Sequence, residues 1–124
     1  MWRRIEEYTV HFPWLVYEND ASDIVGYCYA AQWRSRASYR HTAESTIYLS
    51  PESVGSGIGS ELYTELITRL PALSIHSVIG GIALPNPGSV SLHRKLGFEE
   101  VALFKSVGRK FGRWIDVSYW QLEL

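Results

Sequence analysis

Three glycines, Gly55, Gly57 and Gly59, stand at alternate positions in the stretch SPESVGSGIGSEL, residues 50–62. A strand-like run, STIYL, precedes them, and a helix-like run, ELYTELITRL, follows. Glycines between a strand and a helix remove Cβ atoms where the backbone must come close to something. The helix N-terminus adds unpaired N–H groups and about half a positive charge. Together these features form a cradle for phosphate or pyrophosphate. Three such sites compete. A P-loop needs Gly-x-x-x-x-Gly-Lys-Ser/Thr; here Ser60 and Glu61 follow Gly59 and no lysine is present, which excludes it. A dinucleotide fingerprint needs G-x-G-x-x-G near the start of a βαβ unit, with an acid about 20 residues on. The spacing here is G-x-G-x-G, it follows three strand-like runs, and the next strand ends without an acid. The pyrophosphate of an acyl-CoA remains, beside the plain alternative of a glycine-rich turn that binds nothing.

The elements that must position this loop can be read from periodicity. WRRIEEY, residues 2–8, has the pattern of a helix end, broken at His11 to Pro13. WLVYE (14–18), IVGYCYAAQW (24–33) and TAESTIYLS (42–50) are strand-like, and the simplest arrangement is an antiparallel meander. In the third of these, Glu44, Thr46, Tyr48 and Ser50 face one way and Ala43, Ser45, Ile47 and Leu49 the other. Apolar residues at 58, 62, 63, 66, 67 and 70 have helical spacing, and Pro71 marks the stop. IHSVIGGIAL (75–84) is a strand with a glycine pair inside it. PNPGS opens a second helix that Asn86 or Ser89 can cap and that Gly97 ends. Two closing strands flank a turn at FGR, 111–113. A strand-helix-strand-helix order in the middle implies a parallel pair, so the expected fold is one mixed, mostly antiparallel sheet covered by helices.

Composition narrows the class. A chain of 124 residues suits a single domain, 1–124, and one core. With 46% apolar and 20% charged residues it reads as soluble and globular, and a net charge of −1 gives no electrostatic case for nucleic acid or an anionic membrane. The five Trp and eight Tyr are read as packing residues. The single cysteine, Cys28, forms no internal disulfide and reads as an inert core thiol, and no Cys/His cluster has metal-site spacing. The N-terminus lacks the apolar core of a signal peptide and no stretch approaches a membrane span, so the expected location is the cytoplasm.

A second segment sharpens the glycine loop. LPNPGSVSLHRKLGFEEV, 84–101, resembles the block of GCN5-related N-acetyltransferases (GNAT) in which an Asn begins a helix ending in Leu-Gly-Phe. TAESTIYLSP, GIGSELYTELI, ALPNPGSVSLH and GRKFGRWIDVSYWQLEL look like the phosphinothricin acetyltransferase branch, and the resemblance covers nearly the whole chain. It implies a GNAT-type α/β (α+β) fold and acetyl transfer from acetyl-CoA to a primary amine by direct attack. It places the CoA loop on Gly55, Ser56, Gly57, Ile58, Gly59 and Ser60, the strand contacts to the pantetheine arm on Ile47, Tyr48 and Leu49, and a cofactor asparagine on Asn86. An extended strand edge can hydrogen-bond amide groups, which agrees.

The resemblance also places catalytic candidates. An attacking amine must be neutral, and a free ammonium has a pKa of about 10, so a base or a water chain leading to one is required. The branch's Glu and His match Glu44 and His93. The proton for the CoA thiolate has four tyrosine candidates, Tyr29, Tyr48, Tyr63 and Tyr119, among which the sequence does not choose. Substrates of the branch are amino acids with an acidic side group, and Arg34, Arg36 and Tyr39 match its pocket. An arginine fork suits a carboxylate or phosphinate. A homodimer is common in the family and is expected here.

Two departures stand out. Where the family has Gln or Arg at position 54 and often a cation at 55 or 56, this chain has Val54, Gly55 and Ser56. Phosphate binding is then expected to rest on glycine amides and the helix end. The chain also enters at what the family makes the end of its second helix. The usual first strand and first helix are therefore expected to be lacking, with WLVYE less paired as a result. A non-catalytic CoA-binding or interaction module is the alternative function.

Overall fold

The computed structural model describes residues 4–7 and 12–124. The elements run β1 (Arg4–Glu7), β2 (Trp14–Glu18), β3 (Ile24–Gln32), β4 (Thr42–Leu49), α1 (Ile58–Arg69), β5 (Ser77–Ala83), α2 (Pro87–Lys95), β6 (Glu99–Lys110) and β7 (Arg113–Glu123). The strands form one seven-stranded sheet in the order β1-β2-β3-β4-β5-β7-β6. β4 and β5 run parallel, and the other neighbours pair antiparallel. The meander β2-β3-β4 and the mixed sheet match the expectation from sequence.

The start of the chain does not. Arg4–Glu7 is a strand rather than a helix end, antiparallel to β2 in a register from Arg4–Glu18 to Glu7–Leu15. WLVYE therefore has a partner on both sides, against the less-paired strand expected. Beside an open strand edge, a four-residue segment gains ladder hydrogen bonds at once, whereas a helical turn of that length bears the full nucleation cost. Of the expected break at His11 to Pro13, His11 lies outside the described residues.

Both helices lie on one face of the sheet, because the crossovers β4-α1-β5 and β5-α2-β6 move the same way and right-handed connections put them there. On α1, Ile58, Leu62, Tyr63 and Leu66 are buried at the spacing of a single helix face. They pack on Leu15, Tyr17, Cys28, Ala30 and Ala43 of the sheet. Each fully buried leucine contributes roughly 2 kcal/mol by removing apolar surface from water. Cys28 is the inert core residue expected: its Sγ donates to the Leu62 carbonyl at 3.6 Å, and burial pushes the thiol up to about 12.

α2 is delimited by local chemistry. Asn86 caps it, Oδ1 accepting from the Ser89 N–H at 3.1 Å, and Pro87 follows, where a missing N–H costs nothing. At the other end Gly97, at φ 95°, closes a Schellman motif: Gly97 N–H donates to Arg94 O at 3.1 Å and Phe98 N–H to His93 O at 3.0 Å. That motif turns the Phe98 ring back onto the His93 ring, centroids 4.9 Å apart.

The sheet face away from the helices carries a stack of aromatic rings. Trp14 lies 4.4 Å from Tyr29 and Tyr27 lies 5.4 Å from Tyr48 between centroids. Here the many aromatics pack across strands.

Candidate active site

The glycine loop leaves β4 through a tight turn at Pro51–Ser53 and enters α1 at Gly57. Gly55 and Gly57 hold φ values of 82° and 88°, a region that L side chains resist, and a Cβ at either would meet nothing within 4 Å. Space is therefore open above the loop backbone. Gly57 is the N-cap and has no side chain to accept from the first-turn N–H groups. Gly59 has a different reason for being glycine: a Cβ there would lie 2.9 Å from Leu49 Cδ1 and 3.4 Å from Leu92 Cδ2. It lets α1, β4 and α2 close on one another.

These elements enclose a groove of about 520 Å³. Of the expected cofactor residues, Ile47, Tyr48, Leu49, Gly55, Gly57, Gly59, Ser60 and Asn86 line it. Ser56 instead donates its hydroxyl to the Ser53 carbonyl, and Ile58 is buried in the core. The sequence did not indicate the wall from α2: Gly88, Ser89, Ser91, Leu92 and Lys95. Their spacing along one helix face beside Asn86 was the available signal. Lys95 brings a cation to a groove expected to have none.

The sheet divides beside this groove. β4 and β5 pair from Thr42–Ser77 to Ser45–Gly80, yet β4 continues to Leu49 and β5 to Ala83. Beyond Ser45 the β4 edge at Ile47–Leu49 faces the groove instead of β5.

Glu44 and Ser45 point to opposite faces at this fork. Glu44, half-buried, lines a second cavity of about 490 Å³ with Trp33, Arg34, Ile79, Phe104 and Tyr119. The Arg34 guanidinium lies 4.6 Å from the Trp33 ring centroid, and Tyr39 packs edge-on against the same indole at 5.6 Å. Arg34 is thus brought to Glu44 and Tyr39 stands behind it, while Arg36 is exposed and does not line the cavity. Trp33 and Phe104 were missed, and Tyr119 was named only as a proton-donor candidate; the β5-β7-β6 register that brings Phe104 and Tyr119 beside Glu44 is not written locally.

Ser45 faces the helices. Its hydroxyl meets the Tyr63 hydroxyl, which lies 3.1 Å from His93 Nε2, while His93 Nδ1 donates to the Ser89 carbonyl at 2.8 Å. His93 is 3% exposed, and burial lowers its pKa, opposed in part by the bond to Ser89. The Tyr63 hydroxyl is pushed up, mainly by burial. Glu44 and His93 are therefore not neighbours but occupy opposite faces. The adjacent glycines of β5 serve one face each. A Cβ at Gly80 would lie 2.8 Å from His93 Nε2, and one at Gly81 would lie 3.1 Å from Tyr119 Cε1. Of the four tyrosines, Tyr63 belongs to the buried chain, Tyr119 to the Glu44 cavity, and Tyr29 and Tyr48 to the aromatic stack, Tyr48 also lining the groove.

Comparison with known proteins bears on this geometry. The family model for an acetyltransferase (GNAT) domain matches residues 1–119. The chain is 39% identical over 105 residues to the phosphinothricin N-acetyltransferase of Streptomyces coelicolor, covering 85% of this chain and 61% of that protein. It is 37% identical to the L-methionine sulfoximine/L-methionine sulfone acetyltransferase of Pseudomonas aeruginosa, covering 91% and 66%. Among solved structures, a GNAT superfamily phosphinothricin acetyltransferase from Sinorhizobium meliloti in complex with AcCoA superposes with a TM-score of 0.86 at 42% identity, covering 91% and 61%. The chain thus spans about three fifths of the length of several of these relatives. Among the described residues no helix is long and apolar enough to cross a membrane.

Proposed function

The chain belongs to the GNAT acetyltransferase family, and from that premise we propose that it transfers an acetyl group from acetyl-CoA to the amine of an amino-acid-like substrate of the phosphinothricin or methionine sulfoximine type. The observation that carries this proposal is the fork beyond Ser45–Gly80: the glycine groove takes the β4 edge just past it, at Ile47–Leu49, and the Glu44 cavity takes the Glu44–Ile79 pair just before it.

The loop backbone of Gly55 to Ser60 and the N-terminus of α1 receive the pyrophosphate, with Lys95 as the nearby cation. The free β4 edge at Ile47–Leu49 offers backbone groups to the pantetheine amides. Glu44, in the cavity where the amine arrives, takes a proton from the ammonium so that the nitrogen lone pair can attack the thioester carbonyl. The C–N bond forms, the C–S bond breaks, and the thiolate leaves toward the groove as CoA–SH, taking up the second proton that the acylated nitrogen loses. Arg34, stacked on Trp33, pairs with the substrate's acidic group. His93 stays behind the fork and orients it.

Acetyl-CoA as donor and a lone buried thiol fit a cytoplasmic chain. A homodimer is part of the same proposal. Edge strand β6 exposes Val101, Leu103, Phe104 and Val107, apolar surface that a second copy would cover.

A thiol-release assay over a panel of amino acids tests the function. Phosphinothricin and methionine sulfoximine are expected to release CoA, and Glu44→Gln to abolish release. CoA binding by calorimetry with no thiol release from any amine would replace this function with that of a binding module.

A further inference from the structure

The Glu44 cavity holds two groups of opposite charge that must not meet. β3 pairs Ala31 with Glu44, so the residues just past the end of β3 are carried toward the Glu44 side chain. These are Trp33 and Arg34, and both line its cavity. An arginine has a long, freely rotating side chain and a fork of donors that fits a carboxylate. Left to itself, Arg34 would fold onto Glu44. That pair would cover the carboxylate's lone pairs with guanidinium N–H groups and leave neither group for a substrate. Yet among the described residues no ion pair or hydrogen bond joins Arg34 to Glu44.

The Trp33 ring supplies the alternative partner. Arg34 Cζ lies over it, 4.6 Å from the ring centroid, where the face of an indole attracts a cation. The turn at Ala37–Tyr39 brings Tyr39 back against the same indole at right angles, with centroids 5.6 Å apart. Trp33 is half-buried while Arg34 is exposed. The ring is therefore held in place and the cation on it can leave. At an exposed site a cation–π contact and an ion pair are of similar strength. The ring thus tips the choice of Arg34 away from Glu44 until a substrate's acidic group offers a bidentate pair.

We propose that Trp33 is a positioning residue for acetyl transfer: its indole holds the Arg34 guanidinium off Glu44, so that one cavity keeps a free carboxylate for the ammonium and a free guanidinium for the acidic group. The role rests on the acetyl-transfer function proposed above.

Trp33→Leu, Trp33→Phe, Arg34→Met and the double variant Trp33→Leu/Arg34→Met in the full chain test it. The measurement is kcat/KM for thiol release with phosphinothricin, taken well below each melting temperature. Trp33→Leu is expected to lower kcat/KM about five-fold, the scale of a cation–π contact at an exposed site. Trp33→Phe keeps an aromatic face and is expected to stay within two-fold of the unaltered chain. In the Arg34→Met background Trp33→Leu is expected to change kcat/KM less than two-fold, because no guanidinium remains to be held. A merely structural Trp33 would give the same loss in both backgrounds, and that result overturns the proposal. So does Trp33→Leu within two-fold of the unaltered chain, or Trp33→Phe as impaired as Trp33→Leu. If Trp33→Leu fails to fold, Trp33→Met, apolar and without a ring, takes its place with the same outcomes. An unaltered chain that releases no thiol overturns the acetyl-transfer function itself, a result distinct from a silent variant.

Discussion

Residues 44 and 45 are neighbours in the chain but occupy two different kinds of site. Glu44 looks into an open cavity with Arg34 and Tyr119, beside a sheet face carrying stacked, partly exposed aromatic rings. Ser45 looks into the packed layer under α1 and α2, where its partners Tyr63 and His93 are fully bonded to one another and to backbone. A group that exchanges a proton with an incoming solute needs access. A group that holds a shape needs burial and satisfied hydrogen bonds. The two residues that the family resemblance pairs, Glu44 and His93, fall on different sides of that division.

The largest test of this contrast is Glu44→Gln. It should lower kcat at least 100-fold, the scale of a lost general base, while thermal melting stays nearly unchanged because the side chain faces an open cavity. A rate within ten-fold of the unaltered chain would remove Glu44 as the base. The adjacent glycines come next. Gly80→Ala drives a Cβ to 2.8 Å from a ring locked among Tyr63, Phe98 and Trp120. It should cost roughly 1–3 kcal/mol in urea unfolding. Gly81→Ala meets the half-buried Tyr119 at 3.1 Å, a ring with room to shift, and should cost less. Equal costs would mean that the two faces are equally rigid.

Acid should also act through the buried face. Burial holds the folded-state pKa of His93 below its ordinary value. As pH falls below about 6.5, the unfolded chain takes up a proton that the folded chain resists. Stability should therefore be full above that pH and decline beneath it, by at most about 1.4 kcal/mol per pH unit from this residue. Urea midpoints from pH 7.5 to 5 should show the slope, and His93→Gln should flatten it. The smallest expected effect lies at the groove mouth. Val54 is exposed there, where the family resemblance implies Gln or Arg, and Val54→Arg should tighten acetyl-CoA by roughly 1 kcal/mol, about five-fold in calorimetry.

Much of the site was legible from local pattern. The cradle at Gly55–Ser60, the Asn86 cap, the stop at Gly97 and the parallel β4-β5 pair rest on spacing within one or two elements. The strand at Arg4–Glu7 was not legible, because four residues carry too little periodicity and the partner edge decides their state. The Lys95 wall could be found only once α2 was laid against the glycine loop. Arg34 was anticipated, yet Arg36 two residues on was not brought to the cavity. Arg36, in extended backbone, leads into a short turn at Ala37–Tyr39, a placement that composition does not foretell.

By itself the sequence determined the order of elements from Trp14 onward, the glycine loop before the first helix, the cap of the second helix and the family to which they point, because each depends on residues close in the chain. Strand alternation even showed that Glu44 and Ser45 must part. Only the tertiary structure decided which of them the helices cover. That depends on the hand of two crossovers and on the register of β5, β7 and β6, which bring Tyr63, His93, Gly80 and Tyr119 to the fork from 18 to 75 residues beyond Glu44 and Ser45.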